Sequence, residues 1–149
     1  MPLDVQAILL HHEEAGTTDK SAYCDAMMVF YQRHVCRLDP WPDFVKRGAD
    51  RKGKQVYETM LGSSETHVIG RLKDWDITSR LGSISLPCLL TVGQYDEFTP
   101  TQAAVVRDRI PNCTSVLFEK SAHMAHAEET ERYLCVLNNF LTLVEKQVR

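Results

Sequence analysis

Apolar and polar positions fall into two different patterns along the 149 residues. Up to about residue 80, apolar side chains recur at helical spacing and strand-like alternation is almost absent. Asp4 is placed to cap a helix through Ile8 and Leu9 to about Glu14, with Gly16 as its stop. Thr18 or Asp19 is placed to cap a second helix carrying Tyr23, Met27, Phe30, Tyr31 and His34. That helix should end near Asp39, because Pro40 and Pro42 cannot continue it. Met27, Met28, Phe30 and Tyr31 form a stripe that reads as core. Residues 44–54 read as loop or weak helix, and residues 55–61 as a short helix ended by Gly62.

From residue 86 the pattern changes. Residues 86–92 are a nearly continuous apolar run, the form taken by a strand covered on both faces of a parallel sheet. Thr99-Pro100-Thr101-Gln102 then has the form of a capping box with Pro at the first helical position. The helix it starts carries Ala103, Val106 and Ile110 on one face and ends at Pro111-Asn112. Residues 115–119 read as a second strand. A last helix begins near Ala127, with Glu128, Glu129 and Glu131 in its first turns and Lys146 and Arg149 near its end, matching the helix dipole. Leu134, Leu137, Leu141 and Val144 make its expected buried stripe. Strand–helix–strand–helix predicts a βαβ unit with one further helix. The fold class is α/β: a helical region over 1–80, then part of a parallel-sheet core over 81–149.

Composition narrows the function classes. With 44% apolar and 25% charged residues the chain is an ordinary globular sequence, and its length suffices to bury a sizeable core. Seventeen basic residues against 20 acidic ones leave a net charge of −3, which gives no electrostatic reason to expect nucleic acid. The basic cluster of Lys46, Arg47, Arg51, Lys52 and Lys54 has little aromatic interleaving and reads as a solvated loop. No run approaches the ~18 apolar residues needed to span a bilayer, and the first residues lack a signal-peptide pattern, so no membrane partner is expected. Cys24, Cys36, Cys88, Cys113 and Cys135 are odd in number and lack CxxC spacing. They read as reduced core thiols of a cytoplasmic protein. Nothing implies a cofactor or a zinc site.

The candidate chemistry starts at Val92-Gly93-Gln94-Tyr95-Asp96-Glu97-Phe98-Thr99-Pro100, where a strand runs into two adjacent carboxylates. Carboxylates near a core are costly unless something pairs with them. Both strands of a parallel βαβ unit end on the same sheet edge, where ligand and catalytic groups collect. Asp96 lies just past the first strand and His123 just past the second. Neighbouring strands lie roughly 4.8 Å apart, so a hydrogen bond between the two side chains is sterically natural. An Asp that fixes a His tautomer and stabilises its imidazolium is two-thirds of a nucleophilic triad. The chain order Ser, Asp, His is that of α/β-hydrolases. Asp96 has an alternative reading as the cap of a turn. His123 and His126, with Glu128 close by, have an H-x-x-H spacing that suggests metal, but no third ligand set stands at suitable spacing. His126 reads better as a cap or packing residue at the helix start.

Three segments carry a resemblance. Gly70-Arg71-Leu72-Lys73-Asp74-Trp75-Asp76, the strand-end segment from Leu89 to Pro100, and Ser121-Ala122-His123-Met124-Ala125-His126-Ala127-Glu128-Glu129 resemble the C-terminal portion of proline iminopeptidases. These are α/β-hydrolase serine aminopeptidases that remove N-terminal proline or other residues from short peptides. His34-Val35-Cys36-Arg37-Leu38-Asp39-Pro40-Trp41-Pro42 and Gly62-Ser63-Ser64-Glu65 resemble pieces of the family's helical cap. The resemblance covers essentially the whole chain. It implies that Asp96 is the triad acid, His123 the triad base, and Glu97 and Glu65 the acidic residues holding the substrate's α-ammonium. It places Trp75 near the site entrance. Glu65 has the alternative of being a solvated residue after a helix end.

The triad's third member is not among these residues. An exposed nucleophile needs a G-x-S-x-G elbow after a buried strand, and Gly62-Ser63-Ser64-Glu65-Thr66 has only the first half of that pattern and follows a helix. The family's His- and Gly-rich oxyanion segment is likewise missing. The expectation is the C-terminal part of a serine aminopeptidase, inactive alone, whose peptide substrate is turned over only with a nucleophile-bearing half. Two alternatives stand beside it. One is a non-catalytic module whose exposed sheet edge pairs with itself or with an N-terminal fragment, and the other is an esterase or amidase of the same fold. The tandem Asp96-Glu97 favours the aminopeptidase, since an ester substrate has no ammonium to neutralise.

Overall fold

The computed structural model describes residues 1–148; Arg149, read above as a charge at the last helix end, lies outside the described residues. Seven helices, one 3-10 segment and two strands follow one another among them: α1 (Leu3–Glu14), α2 (Ser21–His34), α3 (Asp43–Asp50), α4 (Lys54–Met60), the 3-10 segment Thr78–Ser83, β1 (Cys88–Gly93), α5 (Pro100–Arg107), β2 (Cys113–Phe118), α6 (Ala125–Glu128) and α7 (Thr130–Val148). They divide into two compact units. The first joins Met1–Tyr31 to Pro40–Asp76, and the second joins Gln32–Asp39 to the described residues from Ile77 onward.

The first unit is helical and closes on Val5, Leu9, Tyr23, Ala26 and Met27, with Val29, Phe30 and Tyr31 packed against them. The buried face of α2 is therefore Tyr23, Ala26, Met27 and Phe30, and Met28 points outward. Helical spacing puts Met28 about 100° away from Met27, so both cannot share one core. α1 starts after Pro2 rather than with Asp4 as its cap; Asp4 sits in the first turn, where its charge suits the helix dipole. Gly16, at φ 65°, lies just beyond its end. Residues 43–50 form helix α3, starting after Pro42 and burying Val45. Beneath the first two helices lies a polar cluster. The Tyr23 hydroxyl meets Ser64 Oγ at 2.7 Å and donates to Glu13 Oε1 at 3.1 Å. Ser64 also meets Thr66 Oγ1 at 3.0 Å. Burial raises the Tyr23 pKa, hydrogen bonds from Ser64 and Ser63 oppose that, and Glu13 adds to it. Ser64, fully occupied this way and following a helix, is a structural hydroxyl.

The second unit is built on β1 and β2, which pair in parallel from Cys88↔Cys113 to Gly93↔Phe118 with α5 between them in sequence. β1 is not covered on both faces along its length: residues 88–91 are half-buried, and only Val92 and Gly93 are buried. The capping box of α5 forms as its sequence predicts, with Gln102 N–H on Thr99 Oγ1 and Thr99 N–H on Gln102 Oε1. Ala103 is buried, and Val106 and Ile110 are half-buried. α7 begins at Thr130, preceded by the separate short α6, so Glu128 and Glu129 are not first-turn charges of one long helix. Its inward stripe is Tyr133, Val136, Leu137, Phe140 and Val144, whereas Leu134 and Leu141 are 50% and 47% exposed. The stripe is anchored at Phe118, whose buried ring packs on Tyr133 at 5.7 Å and under the Arg132 guanidinium at 4.8 Å. Of the five cysteines only Cys36 is fully buried; Cys88 and Cys113 are half-buried, and Cys24 and Cys135 are exposed. No helix among the described residues is long and apolar enough to cross a membrane.

Residues 34–37 are drawn into this unit by their main chain. The His34 carbonyl accepts from the N–H groups of Glu97 at 3.2 Å and His123 at 3.3 Å, and the Val35 carbonyl accepts from Met124 at 3.0 Å. α2 therefore stops at His34 rather than near Asp39, because its last carbonyls already have partners outside the helix.

Candidate active site

β1 ends in Gly93, and the chain then turns through Gln94 and Tyr95 into Asp96. A side chain at position 93 would run into the backbone carbonyls of Ser121 and Ala122, so the close approach of the two loops requires glycine there. The loops are laced together by Gln94 N–H on Phe118 O at 2.9 Å and Tyr95 N–H on Ser121 O at 3.1 Å. The His34 ring adds Nδ1–H to the Tyr95 carbonyl at 2.9 Å, and the Arg37 guanidinium stacks 3.8 Å over the Tyr95 ring.

Asp96 is 7% exposed. Its Oδ1 accepts from Phe98 N–H at 2.9 Å, closing an Asx-type turn, and its Oδ2 faces Gly93 N–H at 3.4 Å. The same Oδ1 lies 2.9 Å from His123 Nδ1. One carboxylate thus makes both the turn contacts and the contact to His123. Because an ionised carboxylate only accepts, the proton of this bond sits on Nδ1, and Nε2 becomes the basic ring nitrogen. The His123 side chain is 50% exposed. It borders a cleft of about 430 Å³ lined by Asp96, Phe98, Met124, His126 and Tyr133.

Two carboxylates, Glu128 and Glu129, whose spacing suggests helix first-turn charges, hold the loop under His123. Glu129 Oε2 accepts from the Ser121 hydroxyl at 2.6 Å and from Lys120 N–H at 3.0 Å, while Arg132 lies 3.1 Å from Oε1. Glu128 Oε2 accepts from Ala122 N–H at 2.8 Å and Oε1 from Arg37 N–H at 2.8 Å. For Glu129, burial pushes the carboxyl upward, but Ser121, Lys120 and Arg132 outweigh it and hold the carboxyl below its ordinary value. Nothing in the local periodicity announces these contacts. The available signal is two glutamates placed a few residues after a loop rich in unpaired N–H groups.

Glu97 is half-buried in the Asp96 loop, with its N–H on His34 O. Glu65 lies in the first unit, in the turn after α4. It accepts the Tyr31 hydroxyl at 2.9 Å and lies 3.9 Å from Lys52 Nζ, so it is not merely solvated. Burial raises its pKa, but hydrogen bonds from Tyr57, its own backbone and Tyr31, with the charge of Lys52, bring it below the ordinary value. Trp75 lies in the same unit and is 62% exposed. His126 packs edge-on against Tyr133 at 6.0 Å. No group of three or more His, Cys, Asp or Glu side chains that could hold a metal is found among the described residues.

Asp96 and His123 beyond the C-terminal ends of neighbouring parallel strands, with a helix between those strands, match part of an α/β-hydrolase fold. The solved structures agree. VinJ superposes with a TM-score of 0.91 at 40% identity, over 97% of this chain and 49% of that one. The proline iminopeptidase of Mycobacterium smegmatis gives 0.85 at 36%, over 100% of this chain and 50% of that one. MenH from S. aureus, at 17% identity and a TM-score of 0.59, shares the fold alone. No family model matches the chain. Among curated proteins, the proline iminopeptidase of Saccharolobus solfataricus is 39% identical over 97% of this chain and 47% of its own length. That of Heyndrickxia coagulans is 38% identical over 97% of this chain and 50% of its own length. The chain is a homologue of the proline iminopeptidases, and it spans about half the length of the curated relatives it matches.

Proposed function

We propose that Asp96 and His123 are the acid–base half of a serine aminopeptidase site that releases N-terminal residues, proline preferred, from peptides. The observation that carries this reading is the 2.9 Å contact between His123 Nδ1 and Asp96 Oδ1 at two adjacent strand ends, in a chain homologous to proline iminopeptidases. In this reading His123 Nε2 takes the proton of a serine hydroxyl and later passes it to the leaving amine, while Asp96 orients the ring and stabilises the imidazolium. The serine comes from a nucleophile-bearing half outside these 149 residues, and the chain alone is inactive. The first unit takes the role of the helical cap, and the second that of the core fragment. Glu97 supplies charge for the substrate's α-ammonium. The resemblance assigns Glu65 the same task, with Lys52 and Tyr31 as its present partners, and assigns Trp75 to the site entrance.

The test is proline-p-nitroanilide hydrolysis by the purified chain, alone and mixed with the nucleophile-bearing half of a relative. No hydrolysis is expected alone, and hydrolysis abolished by His123→Ala is expected in the mixture. Robust turnover by the chain alone, abolished by His123→Ala, would refute the inactivity of the lone chain, and turnover in the mixture that survives His123→Ala would refute the role of His123. A second reading, a non-catalytic assembly module, is favoured by one observation: β1 has a single strand neighbour among the described residues, leaving its other edge available for pairing. An esterase or amidase of the same fold is separated from the aminopeptidase by Glu97→Gln. In the mixture, that change should raise KM for peptides far more than for neutral esters.

A further inference from the structure

At the end of the sheet opposite Asp96 and His123, two cysteines face each other across the strands. Cys88 opens β1, Cys113 opens β2, and the parallel register makes them direct partners. Adjacent strands run about 4.8 Å apart, inside the ~4.4–6.8 Å between Cα atoms that a disulfide bridges. The main chains are tied at this level by Cys88 N–H on the Asn112 carbonyl at 2.8 Å. Both thiols are free and half-buried. A cleft of about 370 Å³, lined by Pro87, Pro111, Asn112, Cys113, Phe140 and Val144, opens onto Cys113. Burial raises the Cys113 thiol, and the neighbouring charge of an ionised Cys88 raises it further, against a smaller opposing effect of Arg107. That coupling places the two sulfurs within electrostatic reach of each other. Burial and this neighbour together keep the Cys113 thiol protonated, and so slow to react, at neutral pH.

We propose that Cys88 and Cys113 form a dithiol site that takes small-molecule disulfides of the glutathione class and closes to a reversible cross-strand disulfide. One protein thiolate attacks a sulfur of the reagent, whose S–S bond breaks and releases one thiolate. The other cysteine gives its proton to water and attacks the protein-side sulfur of the mixed disulfide, expelling the second thiolate. Two protein thiols lose two protons and two electrons, and the reagent is reduced to two thiols. The new bond ties the first residues of β1 and β2 together and leaves the strand ends that carry Asp96 and His123 untouched.

The experiment uses the full chain with the exposed Cys24 and Cys135 replaced by serine, treated with oxidised glutathione at mildly alkaline pH. Intact mass without reductant should show the loss of two hydrogens and no retained glutathione, and peptide mapping should place the link between residues 88 and 113. The rate should rise about tenfold per pH unit below the thiol pKa, following the thiolate fraction, and excess dithiol should restore the original mass. With Cys88→Ser, the reaction should stop at one glutathione adduct on Cys113. Stable glutathione adducts in the parent chain without closure, a link involving Cys36, or no reaction would each overturn the proposal. The parent chain's own peptide map decides this even where a serine variant fails to fold.

Discussion

The carboxylate of Glu129 is 12% exposed and bonded to a hydroxyl, a backbone N–H and a guanidinium. Hydrogen bonds to charged groups contribute about 1.5–3 kcal/mol, and Arg132 is partly exposed. Glu129→Gln should therefore cost about 1–2 kcal/mol in urea unfolding. Its folded pKa lies below the ordinary carboxylate value, so its contribution is full above that value and is lost as pH falls through the lower, folded one. The stability of Glu129→Gln should accordingly decline less steeply over that acid range, while the difference from the parent persists at neutral pH. Gly93→Ala forces a methyl group onto two backbone carbonyls that cannot swing away. Overpacking of this kind costs about 1–3 kcal/mol, which urea midpoints would register. Loss of the His123 Nδ1–Asp96 bond should accompany it in proton NMR. At this scale Asp96 and His123 were readable because strand ends and chemistry coincide in the sequence. Glu128 and Glu129 were not, because their partners are N–H groups whose availability depends on how a distant loop is folded.

Among elements, α5 is the one whose start is written locally, although it ends at Arg107 and leaves Ile110, read as part of its face, in the turn beyond. Its capping box is formed by Thr99 and Gln102 alone, so Thr99→Ala should cost about 1 kcal/mol, read as a lower melting midpoint. The same helix carries the chain away from the Asp96 loop, and fraying it should loosen the turn at Phe98. α7 behaves differently. Its expected stripe is Leu134, Leu137, Leu141 and Val144, yet Tyr133 sets the phase by packing on Phe118. An aromatic anchor outweighs two leucines because its buried area is larger. Tyr133→Ala should cost about 2 kcal/mol or more, whereas Leu134→Ala should stay within about 0.5 kcal/mol; thermal unfolding of the two variants would separate them. The end of α2 also differs from what its prolines predict. Prolines mark where a helix must have stopped, and His34 stops earlier because its carbonyl is claimed from elsewhere in the chain.

Taken whole, the chain has the composition of an ordinary globular protein, but its second unit rests on a two-stranded sheet among the described residues. Leu86, Val105, Leu134, Leu141 and Leu143 of that unit are exposed. Two strands are marginal without further cover, and apolar groups beside an open edge invite pairing. Sedimentation at micromolar concentrations should therefore show mass rising with concentration, and addition of a nucleophile-bearing half should replace self-association with a defined one-to-one species. A strictly monomeric profile with a cooperative melt would count against assembly through this edge. The α/β class and the order of the last elements were legible because burial on a parallel sheet leaves a continuous apolar run. The grouping of residues 32–39 with the C-terminal unit was not, since it depends on carbonyl partners rather than on side-chain pattern.

Those carbonyls have a consequence for how the sequence can drift. The acid loop and the base loop are clamped to a third segment by main-chain oxygens of His34 and Val35, and every amino acid carries that oxygen. The side chain at Val35 can therefore be exchanged over generations while the spacing of Asp96 and His123 is inherited unchanged; His34 is less free, because its ring also holds the Tyr95 carbonyl. A saturation library should tolerate most replacements at 35 while rejecting nearly all at 93, where the backbone contact leaves room for a hydrogen and nothing larger.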